Sequence, residues 1–250
     1  MQRDYDYQKF WDVFHDSSYY NPSQRHRFRL ICREVAGVIK ARKTPPAEFR
    51  VLDLGCGMGH LLLALKQRFP QLVCTGVDIS VSAIEALRKN VPGVTWQAAD
   101  LQEPSGLQTL GLHDIVICSE VLEHVPQYER VLESIQALLA PQGTAIVTVP
   151  GGTRYRFDDD LGHLRHFTLD QVRSFFPSAS MKIVRSYCWG FPAMNLFRYT
   201  SDRLYHFVAK EFTNTRYGWK KRLFCQLLYL FMFAAVKRRG PQIVCLFEKA

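Results

Sequence analysis

The chain has no CxxC pair, although seven cysteines are scattered over its 250 residues (Cys32, Cys56, Cys74, Cys118, Cys188, Cys225 and Cys245). That removes the usual spacing of a structural zinc or a redox dithiol; an odd number of thiols in apolar runs reads as small buried hydrophobes. A reducing, cytosolic compartment is the expectation. The opening MQRDYDYQKFWDVF is polar and mixed in charge, which does not fit a secretory signal. Internal repeats and low-complexity tracts are absent too, so the sequence does not read as an array or a disordered tail. What is present is 47% apolar and 22% charged residues, enough for one large domain, or a domain with an appended cap, around a real core.

The net charge of +9 is unevenly spread. Residues 51–150 carry 5 basic and 10 acidic side chains, whereas residues 151–250 carry 17 and 7. A basic region beside an acidic core points to an anionic partner (nucleic acid, lipid headgroups or an acidic substrate) or to a solvated basic face.

Near-continuous apolar runs at 49–55, 72–79, 94–100, 113–120 and 143–150 predict strands buried on both faces of a parallel sheet. Amphipathic segments at about 60–69, 82–91 and 128–140 lie between them, with Ser82 and Glu85 at capping-box spacing and APQG ending the third. FTLDQVRSFF (167–176) reads as a further helix, with Thr168 and Gln171 at the same spacing, and 181–189 and 242–249 read as two more strands. The pattern predicts a doubly wound α/β sheet with an insertion of about 50 residues before its last strand.

VLDLGCGMGH (51–60) places Gly55, Gly57 and Gly59 between the first strand and a helix, where glycine lets the backbone approach a ligand. Asp53 precedes them, Asp78 ends the second strand where it can accept two ribose hydroxyls, and Asp100 ends the third. The loop, the two strand-end acids and DIVICSEVLEHV (114–125) resemble the class I S-adenosylmethionine-dependent methyltransferases over roughly residues 30–190 and the last strand. The resemblance implies a seven-stranded Rossmann-like sheet whose last strand is antiparallel and lies beside the sixth. It also implies a site for S-adenosylmethionine made of Asp53, Gly55, Cys56, Gly57, Asp78, Ile79, Asp100, Leu101, Ser119 and Glu120. In that site Gly55 and Gly57 line the methionine portion, Asp78 holds the ribose, Ile79 packs on adenine, Asp100 and Leu101 border its edge, and Ser119 and Glu120 close the site.

Three families compete for the acceptor. Glu120, Glu123 and His124 stand at i, i+3 and i+4 and share a face if the turn is helical; His163 and His166 follow the fifth strand. This ExxEH pattern with a downstream histidine is similar to the metal site of methyltransferases acting on the terminal 2′-hydroxyl of small RNAs. EVLEHV is equally similar to quinone-pathway O-methyltransferases, and DLGHLRHFTLDQV resembles a segment of bacterial lipid, sugar and natural-product methyltransferases. The acceptor expected is small or lipid-like and methylated on oxygen, with His124 and His163 at the acceptor site. A divalent metal is not expected; Glu120, Glu123, His124 and His163 are the candidate side chains that could hold one. His166 is expected to support the Thr168 cap, and Tyr20, His26 or Arg27 to reach the methionine carboxylate. The alternatives are a metal-dependent RNA 2′-O-methyltransferase and a non-catalytic binding protein on the same fold.

The run Leu223–Val236 carries no charge and is bracketed by basic clusters. As a helix its 14 residues rise about 21 Å, short of the roughly 30 Å of bilayer hydrocarbon, and flanking strands of one sheet forbid a crossing. It is then a core or dimer-interface helix, an apolar cap over the acceptor, or an interfacial helix on anionic headgroups. The expected layout is a helical N-terminal cap (1–48), the core (49–190), a helical insertion or lid with possible peripheral membrane contact (191–240), and the final core strand (241–250).

Overall fold

The computed structural model describes residues 16, 19–42, 49–212 and 216–250. Helix α1 (Pro22–Arg42) precedes an alternating series: β1 (Arg50–Leu54), α2 (His60–Arg68), β2 (Val73–Asp78), α3 (Val81–Asn90), β3 (Thr95–Ala98) and β4 (His113–Ser119). Then come α4 (Tyr128–Leu138), β5 (Leu139–Pro150), α5 (Arg156–Asp160), α6 (Leu169–Arg173) and β6 (Met181–Phe191). The insertion holds α7 (Ala193–Arg203), α8 (Tyr205–Phe212), α9 (Trp219–Phe231) and the short β7 (Val236–Lys237), and β8 (Gln242–Lys249) ends the fold.

The strands lie in the order β3-β2-β1-β4-β5-β8-β6-β7. The first five pair in parallel, and β8 runs antiparallel between β5 and β6. All seven expected strands are present; β7 adds a two-residue ribbon on β6. Successive strand residues enter opposite faces, so Val51, Ile115 and Ile146 pack under α1 to α3 while Leu52, Val116 and Val147 pack under α4. All six are fully buried, each worth about 1.5–3 kcal/mol, which is why these runs lack the polar alternation of a half-exposed strand.

Helix boundaries differ in detail from those expected. The N-cap of α3 is Ser80, whose Oγ accepts from Ala83 N at 3.3 Å, because Asp78 Oδ1 already turns the chain at Ser80 N (3.0 Å). Ser82 lies inside the helix. Thr168 and Gln171 do form a reciprocal capping box, at 3.2 and 2.8 Å, although α6 is only five residues long. The 128–140 helix stops at Leu138, before APQG, where the chain already pairs with β4.

The strand order reverses between β1 and β4, which opens a crevice beyond their carboxyl ends. Over that crevice sits the insertion, tied to the core by Trp189, Met194, Met232 and Leu30 of α1. Arg25 of α1 donates to Gln226 Oε1 at 3.0 Å and lies 4.2 Å over the ring of Tyr229. Helix α9 is not a core helix, because Cys225 alone among its residues is buried. Among the described residues no helix is long and apolar enough to cross a membrane.

Candidate active site

The crevice is a cavity of about 640 Å³. Its wall contains all ten residues assigned above to the cofactor, together with His124 and His163. Gly55 and Gly57 follow β1 with φ of +78° and +52°, a region costly for any side chain. A Cβ on Gly55 would also stand 2.3 Å from Val121 Cγ2. The loop is held from the next strand: Gly57 N donates to Asp78 Oδ2 at 2.7 Å, and Gly55 N and Cys56 N donate to Val77 O.

Two carboxyls meet beneath this loop. Burial, reinforced by Asp78, pushes Asp53 up to about 7, and burial also raises Asp78 against the pull of its backbone donors. Ile79 is half exposed on the cavity wall, whereas Leu101 is buried. Asp100 Oδ1 accepts from Gln102 N at 2.9 Å.

Glu120 leaves β4 in the left-handed region, φ +55°, a strained setting for a side-chain-bearing residue that three partners hold in place. Gln242 Nε2 (2.8 Å) and Thr148 Oγ1 (3.2 Å) donate to its Oε1, and Arg27 Nη1 stands 3.3 Å from Oε2. Ser119 Oγ lies 2.8 Å from Thr148 Oγ1. This twist breaks the expected helical face: Glu123 and His124 form a turn, and the Glu120 carboxylate turns to Arg27 instead of joining them. Of the three N-terminal residues expected here, Arg27 alone lines the cavity. His26 stacks on Trp189 at 4.3 Å, and Tyr20 stacks on Tyr217 at 5.7 Å.

A histidine relay forms the opposite wall. His166 Nδ1 lies 3.1 Å from Gly152 O, which can only accept, so this nitrogen carries the proton. Burial holds His166 neutral below its usual range, leaving Nε2 bare to accept from His163 Nδ1 at 3.1 Å. The Nε2 of His163 therefore presents a lone pair. Burial first, then neighbouring His124, His166 and Arg198, lowers His163 to about 2, and burial lowers His124 to about 4. The expected role of His166 at the Thr168 cap is thus replaced by this relay. Asp158 backs it, with carboxylate oxygens 3.9 Å from His163 Nδ1 and 3.7 Å from His166 Nε2.

Two triads bring metal-ligand atoms within 4.8 Å of one another among the described residues: Glu123 with His124 and His163, and Asp158 with His163 and His166. Glu120 belongs to neither. Glu123 is fully buried, neither carboxyl oxygen has a hydrogen-bond partner, and burial followed by Glu120 pushes its pKa well above the usual range. Because the folded pKa is raised, the contribution of Glu123 to stability is fully present below about 4.5 and is lost as pH rises toward the folded value. Glu123→Gln is expected to melt progressively higher than wild type as pH rises above 5, the gap widening by at most about 1.4 kcal/mol per pH unit until the folded value is passed. Thermal scans showing a pH-independent difference would contradict the buried neutral acid.

The insertion adds a mainly apolar part of the wall: Met194 and Phe197 of α7, Phe207 of α8, Phe224 and Leu228 of α9, with Thr200 and Ser201 beside them. Arg198 of α7 crosses to Asp158 Oδ2 at 2.7 Å and to Thr153 O at 3.1 Å. Asp158, Arg198 and Gln242 were not singled out in the sequence. Asp158 stands in the same DDDLGHLRH string as the two histidines, which was the available signal; nothing local marks the other two.

A family described as "Methyltransferase domain" matches residues 23–183. Among curated relatives, a trans-aconitate 2-methyltransferase from Deinococcus radiodurans is 29% identical over 160 residues, 59% of this chain and 60% of that protein. The chain spans between 38% and 60% of the length of the relatives of this kind that it matches. N-methyltransferase NodS from Bradyrhizobium japonicum, solved with S-adenosyl-L-homocysteine, superposes with a TM-score of 0.56 at 17% identity, covering 92% of this chain and 88% of NodS. The [4+2]-cyclase SpnF gives 0.56 at 16% identity, covering 87% and 80%. The fold and the matched residues define the class: the chain belongs to the methyltransferase domain family, among the class I S-adenosylmethionine-dependent methyltransferases.

Proposed function

We propose that the protein methylates oxygen on a small or lipid-like acceptor, using S-adenosylmethionine. One observation carries the reading: a single cavity wall joins an acidic, glycine-lined end to an apolar end, with the His163 imidazole lining the same space. The residues fit the methyl donor. Two glycines in left-handed backbone leave room that a Cβ at Gly55 would fill, and Asp53, Asp78 and Glu120 supply carboxyl groups to a cationic ligand rich in hydroxyls. Asp78 is assigned to the ribose, Gly55, Cys56 and Gly57 with Asp53 to the methionine portion, Ile79, Asp100 and Leu101 to adenine, and Ser119 with Glu120 to the closing edge. When bound, S-adenosylmethionine supplies a methyl group already activated by its sulfonium.

The protein's own task is then alignment and removal of one proton. His163 Nε2 takes the proton of an acceptor hydroxyl, Asp158 stabilises the imidazolium, His166 fixes the tautomer, and His124 borders the acceptor. A hydroxyl needs that help more than a neutral amine does, which supports oxygen. Trans-aconitate is a tricarboxylate, and the cavity offers little to bind one. Its two arginines, Arg27 and Arg198, already pair with Glu120 and Asp158, and the acceptor end is lined mainly by aromatic and aliphatic side chains. Residues 191–240 serve as the lid and as the peripheral membrane contact of an otherwise cytoplasmic enzyme.

The Glu123–His124–His163 triad favours a second reading, metal-dependent transfer to an RNA 2′-hydroxyl. Purified protein incubated with methyl-labelled donor and whole-cell extract separates the cases. Label in the organic phase is the expected result. Chelator-sensitive label in RNA supports the second reading, and absence of transfer leaves a binding protein on this fold.

A further inference from the structure

We infer that the outer face of α8 and α9 docks on an anionic lipid bilayer and opens the acceptor end of the cavity toward it. The inference deepens the lipid-like acceptor reading and rests on it for the acceptor's route, though the docking itself does not.

Three observations converge. First, Trp219, Leu223, Leu227 and Leu230 follow one another at spacings of four, four and three, on one face of α9, and all four are more than half exposed, Trp219 reaching 71%. None of them lines the cavity. Helix α8 has no buried residue at all. A surface this apolar marks an interaction site.

Second, the charge around the stripe has one sign. Residues 191–240 contain ten basic and two acidic side chains, a net +8 out of +9 for the chain. Exposed Lys220 and Arg222 open α9, exposed Arg238 and Arg239 follow it, and the three leucines of the stripe lie between. Basic ends with an apolar middle match headgroups flanking acyl chains.

Third, the mouth of the cavity opens near this face. Leu204, Phe207 and Phe224 line the cavity while remaining 56%, 60% and 49% exposed. Phe212 joins the two helices there, its ring 6.4 Å from that of Phe207 and 5.8 Å from that of Phe224. An acceptor with a long apolar tail can pass from bilayer to cavity without exposing the tail to water. Nucleic acid fits less well, because the stripe between the basic ends is mainly leucine and offers few planar faces for stacking.

The test is co-sedimentation of the full chain with vesicles of phosphatidylcholine alone and with 30% phosphatidylglycerol. Wild type is expected to pellet at least tenfold more with the anionic vesicles at low salt and to be partly released at high salt. The triple variant Leu223→Asp, Leu227→Asp, Leu230→Asp should lose at least tenfold in binding. Lys220→Glu with Arg222→Glu should lose the preference for anionic vesicles. S-adenosylmethionine binding by calorimetry, unchanged in both variants, verifies folding. Wild type that stays in the supernatant overturns the docking, as does a stripe buried in a stable dimer by sedimentation velocity, or binding to RNA alone. The acceptor reading stands or falls separately, on label transferred to detergent-dispersed organic extract without vesicles.

Discussion

Asp78→Ala is expected to weaken S-adenosylmethionine binding by about two orders of magnitude or more. In the proposed complex the carboxylate takes two ribose hydroxyls, and hydrogen bonds to a charged group contribute about 1.5–3 kcal/mol each, so losing both gives roughly 10² to 10⁴ in affinity. Asp78 also builds the site: its Oδ2 accepts from Gly57 N and its Oδ1 from Ser80 N, so the variant unties the glycine loop as well. Asp78→Asn keeps the shape and an acceptor oxygen but loses the charge, and should fall between the two. Isothermal calorimetry measures all three. Unchanged affinity in Asp78→Ala would remove the ribose assignment.

The second large effect is on turnover. His163→Ala is expected to lower the methyl-transfer rate by about 10², the low end for a positioned general base because a base this depressed takes a proton weakly, while leaving S-adenosylmethionine affinity within about twofold. The pH profile adds an independent check. Burial and cationic neighbours depress His163 to about 2, so the free base persists throughout the neutral range and the protonated form appears only in strong acid. The rate should therefore show no acid limb near 6.5 between pH 8 and 5. His166→Ala frees the His163 tautomer and removes a neighbour that lowers it, so a limb should move up toward that range with a smaller loss of rate. A wild-type limb near 6.5 that vanishes in His163→Ala would refute the depressed base, and normal turnover in His163→Ala would refute the base altogether.

The fold was legible for a physical reason. Strands buried on both faces cannot alternate polar with apolar residues, so β1, β2, β4 and β5 stand out as runs, and the residues at their carboxyl ends fall on the crevice of the strand reversal. The order of Gly55, Gly57, Asp78 and Asp100 along the chain is therefore enough to predict that they share one cavity wall, where the structure has them. His124 and His163 were legible as candidates, because both segments follow strands that end at the same crevice.

Contacts between distant residues were another matter. Gln242 reaches Glu120 across 122 positions and Arg198 reaches Asp158 across 40, through elements whose own periodicity says nothing of their neighbours. The tautomer of His163 depends on a carbonyl at Gly152, brought near by the turn that follows β5. The left-handed backbone of Glu120 separated its carboxylate from Glu123 and His124, which a regular helical turn would have kept together.

By itself, then, the sequence determined the sheet, the insertion and the glycine-acid wall of the site, because burial and backbone sterics act on local pattern. The tertiary structure decided the bare nitrogen of His163, the pairing of Arg27 and Arg198, and the exposure of α9. Periodicity shows that a helix has an apolar face; whether another element covers that face is settled only when the chain has folded around it.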